Sequence, residues 1–280
     1  MSRPLPWSLS PSKVSSFKDC PLAFRFSAID RLPEASSPAA VKGTLVHRAL
    51  ELLFLECDKG RRDVPAALDR LERAWIEMQD DAEFKSLELD AVTATGFRGE
   101  AEELVRRYFT LEDPDTVNAV GLEVLLEARL GSLRLRGIID RLEIDENGEY
   151  VITDYKSGRA PSANFEQGRL AGVHFYAFLC QEVLGKRPAR IQLLYLGDPL
   201  AIIATPSEQS IKGLCQRTQA VWTAVERACE RDDFRPKVSR LCDWCSFKKY
   251  CPAWGGDPER AKPELLGEPS MPLPLEAVPA

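Results

Sequence analysis

Asp140 in GIIDRLE, with Asp154 and Lys156 in ITDYKSG, are the residues whose types and spacing point most directly to chemistry. They sit in two runs that alternate as strands do. Ile138, Asp140, Leu142 and Ile144 share one face, and Tyr150, Ile152, Asp154 and Lys156 share one face of the second run. Glu146-Asn147-Gly148 between them suits a three-residue hairpin loop with Gly148 left-handed. That loop sets Asp145 opposite Glu149, and counting back brings Asp140 opposite Asp154. A slip of one residue would put the aspartates on opposite faces. Facing carboxylates repel and are costly to bury unless a cation lies between them. A magnesium or manganese ion held by carboxylate oxygens is such a cation. The bland alternative is a wet strand end with Lys156 paired to Asp154.

The eight cysteines form a second group of candidates. Without a secretory context they suit metal or redox chemistry better than a disulfide framework. Cys57, Cys180, Cys215 and Cys229 lie on apolar or helical patterns and are expected to pack. Cys242-x-x-Cys245-x-x-x-x-x-Cys251-Pro252 lies in a polar, basic, Trp-containing segment, and Cys20-Pro21 stands far upstream. Four thiolates can hold a [4Fe-4S] cluster or a tetrahedral zinc, and ligand chemistry alone does not choose.

Elements must position these groups. SLSPSKVSSFKDC opens on a Ser-Pro cap and predicts a short helix ending near Cys20. A helix is predicted over 41–57, with Leu45, Val46, Leu50, Leu53 and Phe54 apolar; His47 shares a side with Leu50 and Phe54. A lone histidine there reads first as a core residue. Helices over 65–80 and 96–110 complete an N-terminal helical layer. Strands follow from Asn118 through Lys156, then a helix over 164–184, two strands in ARIQLLYLG and PLAIIATP, and a helix over 207–231. This is an α/β order with a central sheet. After Gly255 the chain is proline-rich without apolar periodicity, so 255–280 is expected to be a disordered tail.

Composition narrows the class. At 280 residues, 44% hydrophobic and 29% charged, the chain can bury one large core. Its start lacks an apolar signal region and no run reaches spanning length, so a cytoplasmic protein with no membrane partner is expected. A net charge of -6 gives no global field for nucleic acid. Phosphate binding would need local patches: Arg61-Arg62, Arg106-Arg107, Arg134 with Arg136, or Arg235, Lys237, Arg240, Lys248 and Lys249. The absence of a G-x-x-x-x-G-K-[ST] loop argues against an ATP motor in this chain.

In order, His47 in KGTLVHRAL, Asp140 in GIIDRLE and Asp154-Tyr155-Lys156 in ITDYKSG resemble the motifs of the PD-(D/E)XK nucleases. With the cysteine set, the sequence resembles the RecB-type exonuclease group of that superfamily, which includes AddB nuclease domains and CRISPR adaptation nucleases. The resemblance implies a restriction-endonuclease-like core with a central mixed sheet over residues 8–254, closed by the cysteine segment. It implies that His47, Asp140, Asp154 and the Tyr155 carbonyl bind magnesium or manganese, and that Lys156 orients water and stabilises charge on phosphate. Glu123 stands where relatives place a further acid. Tyr176 fits the tyrosine of the group's Q-x-x-x-Y helix motif, although Gly172 replaces its glutamine. The one-plus-three cysteines imply an iron-sulfur cluster, with zinc the lesser alternative. The implied activity is exonucleolytic hydrolysis of DNA, at single strands or ends, in repair or recombination, with a possible separate helicase. A CRISPR-adaptation nuclease and a non-catalytic DNA-binding subunit are the alternatives.

Overall fold

A computed structural model describes residues 2–160 and 166–261, without the side chains of 166–171. Within it, β1 (Ala119–Leu130), β2 (Leu133–Ile144), β3 (Tyr150–Lys156), β4 (Arg190–Tyr195) and β5 (Leu200–Ala204) form one five-stranded sheet in sequence order. It is mixed, because only β3 and β4 run parallel. Parallel neighbours need a crossover, here α7 (Glu166–Leu184).

The central hairpin has the register its loop dictates. Asp145 N–H donates to the Glu149 carbonyl at 2.9 Å, and Gly148 takes φ 76°. Leu142 pairs with Ile152 and Ile144 with Tyr150. The ladder stops at Arg141 and Thr153, one step before the two aspartates. Beyond that point β3 leaves β2, and the bare edge is taken by the N-terminal segment. Leu9 bridges Leu135 in parallel, donating to the Arg134 carbonyl and accepting from Arg136 N–H, each at 3.0 Å.

Helices cover both faces. On one lie α3 (Pro38–Glu56), α4 (Val64–Met78) and α6 (Ala91–Tyr108), packed around Leu45, Leu50, Leu53, Leu71, Val105 and Tyr155. Each begins at a side-chain cap, Ser37, Asp63 and Asp90 respectively, that accepts a first-turn N–H. A short α5 (Ala82–Lys85), absent from the sequence reading, lies between α4 and α6. On the other face α1 (Pro11–Asp19), α2 (Pro21–Phe24), α7 and α8 (Glu208–Arg231) share a core with Phe26, Ile152, Trp222 and Phe247. None of the described helices is long and apolar enough to cross a membrane.

Order persists past the expected boundary at 255. Pro258–Arg260 forms a helical turn, Glu259 meets the Arg25 guanidinium at 3.3 Å, and Ala261 is buried. Arg25 is itself buried and paired to Asp30, so this stretch of the tail is recruited by a charge supplied from the chain's beginning. The rest of the expected tail, 262–280, lies outside the described residues.

Between the sheet and the α3 layer sits a buried cation that the sequence reading did not single out. Arg141 is fully buried and forks onto Glu112 at 2.5 and 2.9 Å. Its other N–H groups reach Glu143 at 2.9 Å and the Tyr155 hydroxyl at 2.7 Å. Removing Glu112 leaves Arg141 paired with Glu143 but its outer N–H groups short of acceptors in low dielectric. Glu112→Ala should therefore destabilise the protein by about 1–3 kcal/mol in urea denaturation. A loss below about 1 kcal/mol would show that water reaches Arg141.

Candidate active site and cysteine cluster

The split between β2 and β3 opens the site. Freed from the ladder, Tyr155 N–H donates to Asp140 Oδ2 at 2.7 Å. From the facing helix α3, His47 Nε2 lies 3.1 Å from the Tyr155 carbonyl and Nδ1 lies 3.5 Å from Asp140 Oδ2. Asp154 is buried; its Oδ2 meets the Lys156 ammonium but accepts no well-directed hydrogen bond. That ion pair is the contact the bland reading anticipated.

Glu123 enters from β1. In the register set by Leu122–Arg141 and Val124–Ile139 it falls opposite Asp140, and its φ is 48°. A left-handed glutamate inside a strand is strained by about 1–3 kcal/mol. The bend brings its carboxylate to the site: a His47 nitrogen and one oxygen each of Glu123 and Asp140 lie within 4.8 Å of one another. So the structure brings His47, Glu123 and Asp140 into one potential ligand set, with Asp154, Lys156 and the Tyr155 carbonyl beside it. Tyr176, on α7, lays its ring against Gly137, where an added Cβ would sit 3.0 Å from the ring. Burial pushes its hydroxyl up, and Asp154, Asp140 and Glu123 push it further. Gly172 lines the same cleft with open space above its Cα.

Two more residues belong to this neighbourhood. Arg48 pairs with Glu51 at 2.8 Å, and Glu51 acts on Glu123. Their signal was present in sequence, since His47 and Glu51 stand one turn apart on α3.

Crowded acids hold protons. Burial, then the Asp154 charge, pushes Asp140 up to about 6, against His47, Tyr155 N–H and Lys156. Glu123 is pushed up to about 7, first by burial and then by Asp140, Glu51 and Asp154. Although Glu123 is exposed by surface area, its carboxyl points inward at the cleft rim, which accounts for the desolvation. The folded protein therefore keeps protons that the unfolded chain releases, and metal-free stability should fall as pH rises from about 4 to about 7. For Asp140, raised from 3.8 to about 6 with its side chain 11% exposed, this is at most about 3 kcal/mol. Glu123 adds less because it is wetter. Manganese should raise the melting temperature more at about pH 7.5 than at about pH 5, since ligands must deprotonate to bind it. Equal shifts at both pH values would contradict this linkage.

Across the same cleft, of about 1290 Å³, lie the cysteines. Cys20 caps the end of α1, and Cys242, Cys245 and Cys251 sit among the 3-10 turns after α8. The Cys245 thiol is pushed up by burial and by Cys20, Cys242 and Cys251, so the four share one neighbourhood. Backbone N–H groups of Lys237 and Ser239 point at the sulfurs of Cys20 and Cys242, at 3.5 and 3.4 Å. Cys57, Cys180 and Cys229 are buried and Cys215 is partly so, as packing requires.

A search of curated proteins gives no match. Among solved structures, a protein from Eubacterium rectale named as a candidate exonuclease is 13% identical, with 85% of this chain and 86% of that one covered and a TM-score of 0.52. Another, SSO0001, is 14% identical over 76% of this chain and 84% of its own, with a TM-score of 0.38. At such identities the first is a likeness of fold. The sequence profile of the PD-(D/E)XK nuclease superfamily, by contrast, spans residues 8–252, from the segment that covers β2 to the proline after the last cluster cysteine, and the chain belongs to that superfamily.

Proposed function

We propose that this nuclease-superfamily member is a metal-dependent deoxyribonuclease of the RecB-type group, digesting DNA from ends or along single strands. The observation that carries the reading is the convergence of His47, Glu123 and Asp140 beside Asp154 and Lys156 in one open cleft. The donor set fits a magnesium or manganese ion: oxygens dominate, and one imidazole favours manganese somewhat. The raised carboxyls and the poorly satisfied Asp154 Oδ2 fit a cation among these groups. The bound ion supplies Lewis acidity towards water and the phosphoryl oxygens. His47, Asp140, Asp154 and the Tyr155 carbonyl hold it, and Glu123 adds a ligand from β1. Lys156 orients the attacking water and neutralises charge that develops on the phosphate. Tyr176 closes the site over Gly137.

Cys20, Cys242, Cys245 and Cys251 hold a [4Fe-4S] cluster. Inward N–H donors at Cys20 and Cys242 suit thiolates that carry part of a cluster's charge. Zinc is the competing occupant. Phosphodiester hydrolysis moves no electrons, so the cluster acts on the fold. A RecB-type nuclease would serve DNA repair or recombination.

The test is anaerobic purification followed by digestion of end-labelled linear and circular single strands, with magnesium or manganese. Linear strands should shorten from their ends while circles survive. Cleavage of circles would replace the exonuclease reading with an endonuclease. Binding without cleavage under either metal would support the non-catalytic subunit.

A further inference from the structure

The expected basic patches separate once folded. Arg62 is spent on the carbonyls of Cys57, Pro114 and Val117, Arg107 on Glu103 and the Gly197 carbonyl, and Arg235 on Asp233. Others face the cleft. Apart from the carboxylate site, its walls carry Lys13, Lys18, Arg136, Arg217, Lys237 and Lys248, against Asp19 and Glu34. In a chain of net charge -6, this local reversal of sign singles the cleft out as the place where a polyanion would bind.

The cations also have an order. Arg136, Ile138 and Asp140 alternate on one face of β2, so Arg136 lies about 13 Å along the strand from the carboxylate. The N-terminal segment that pairs with β2 carries α1 over this stretch and brings Lys13 beside Arg136. Burial lowers the Lys13 pKa, and Arg31 and Arg136, both of its own sign, lower it further. Lys13 reaches the Ser8 carbonyl at 3.3 Å, and Arg136 makes a long 3.6 Å contact with Glu127. Like charges held together and half-buried are poised for an anion. At the cysteine end, Trp244 is 79% exposed and Trp254, under the Lys248 ammonium at 4.1 Å, is 48% exposed; both line the cleft. Open aromatic faces among cations can stack only on bases that are not already paired.

We propose that the cleft is a track for one DNA strand, in which Lys13 and Arg136 grip phosphates away from the cleaved bond and Trp244 stacks on an unpaired base. This rests on the nuclease reading above and adds to it the substrate's form and its path. Phosphate contacts and stacking leave different signatures. Each phosphate contact to a single strand contributes about 0.7 to the slope of log affinity against log salt. Stacking changes affinity without changing that slope.

The experiment measures binding of a fluorescent single strand and of a duplex across a salt series, in an Asp154→Ala background that holds the substrate uncut. Lys13→Ala and Arg136→Ala should each lower the single-strand slope by about 0.7. Trp244→Ala should weaken single-strand binding roughly 5- to 150-fold with the slope unchanged and leave duplex binding as it was. Melting temperature and iron content check that the variants are intact. If wild-type protein cuts DNA but both charge variants keep the parental slope, the track is overturned and the nuclease reading stands. If wild-type protein neither binds nor cuts, both fall. Equal losses on duplex for Trp244→Ala would overturn the single-strand assignment alone.

Discussion

Asp154→Ala should lower metal-dependent cleavage of end-labelled single strands by about 10²–10³-fold or more while the protein melts no earlier than wild type. Both halves follow from one geometry. Asp154 is buried next to Asp140, whose carboxyl its charge pushes up. Removing it takes away a proposed metal ligand and, in the metal-free protein, a like-charge repulsion. Lys156→Ala should match the loss of cleavage with a different stability signature. It leaves Asp154 buried without its cation, so the metal-free protein should be destabilised. Added manganese should restore stability without restoring activity, because the carboxylates remain. Calorimetry with manganese separates the two: binding weakens in Asp154→Ala and persists in Lys156→Ala. Full-rate cleavage by either variant, with contaminating nuclease excluded, would sink the assignment.

Cys20→Ser should abolish the brown iron-sulfur absorption and lower the melting temperature sharply. Cys20 ends α1, whereas Cys242, Cys245 and Cys251 follow α8, so the proposed cluster would join the two ends of the described chain. Borrowed from disulfide loop closure, such a link disfavours the unfolded chain by about 5 kcal/mol at most. That is comparable with the whole stability of a typical domain. The ion pairs of Arg3 with Asp232 and of Arg25 with Glu259 tie the same ends, but partly exposed pairs contribute far less. Lost activity should track lost folded protein, with manganese affinity of the folded fraction unchanged. A colourless wild-type protein with one zinc per chain would refute the iron assignment and spare the clamp. A Cys20→Ser protein as stable as wild type would refute the clamp itself.

Much of this was set within short stretches of sequence. The Glu146-Asn147-Gly148 loop fixes the β2–β3 register because a three-residue turn with Gly148 at positive φ allows one set of hydrogen-bond partners. That places Asp140 and Asp154 on one face of the hairpin, but the ladder ends one step before them, so their final separation is set by where β3 leaves β2. Helix starts at Ser37, Asp63, Asp90 and Ser207 are equally local, each a side chain accepting a nearby N–H. The cysteine spacing is local too. Packing between distant segments decided the rest. His47 reads as core on its own helix, and only the docking of α3 on the sheet sets it against the Tyr155 carbonyl and Asp140. Glu123 needs a left-handed residue inside a strand, a conformation that no propensity would assign to glutamate. Arg141 looks like any strand-end charge until Glu112, Tyr108 and Tyr155 close around it. Lys13 and Arg136 form one cationic wall because Leu9 takes the edge of β2 that β3 abandons. Hydrogen-bond geometry within a few residues is legible in a sequence, whereas which distant surfaces bury each other depends on the whole chain's packing.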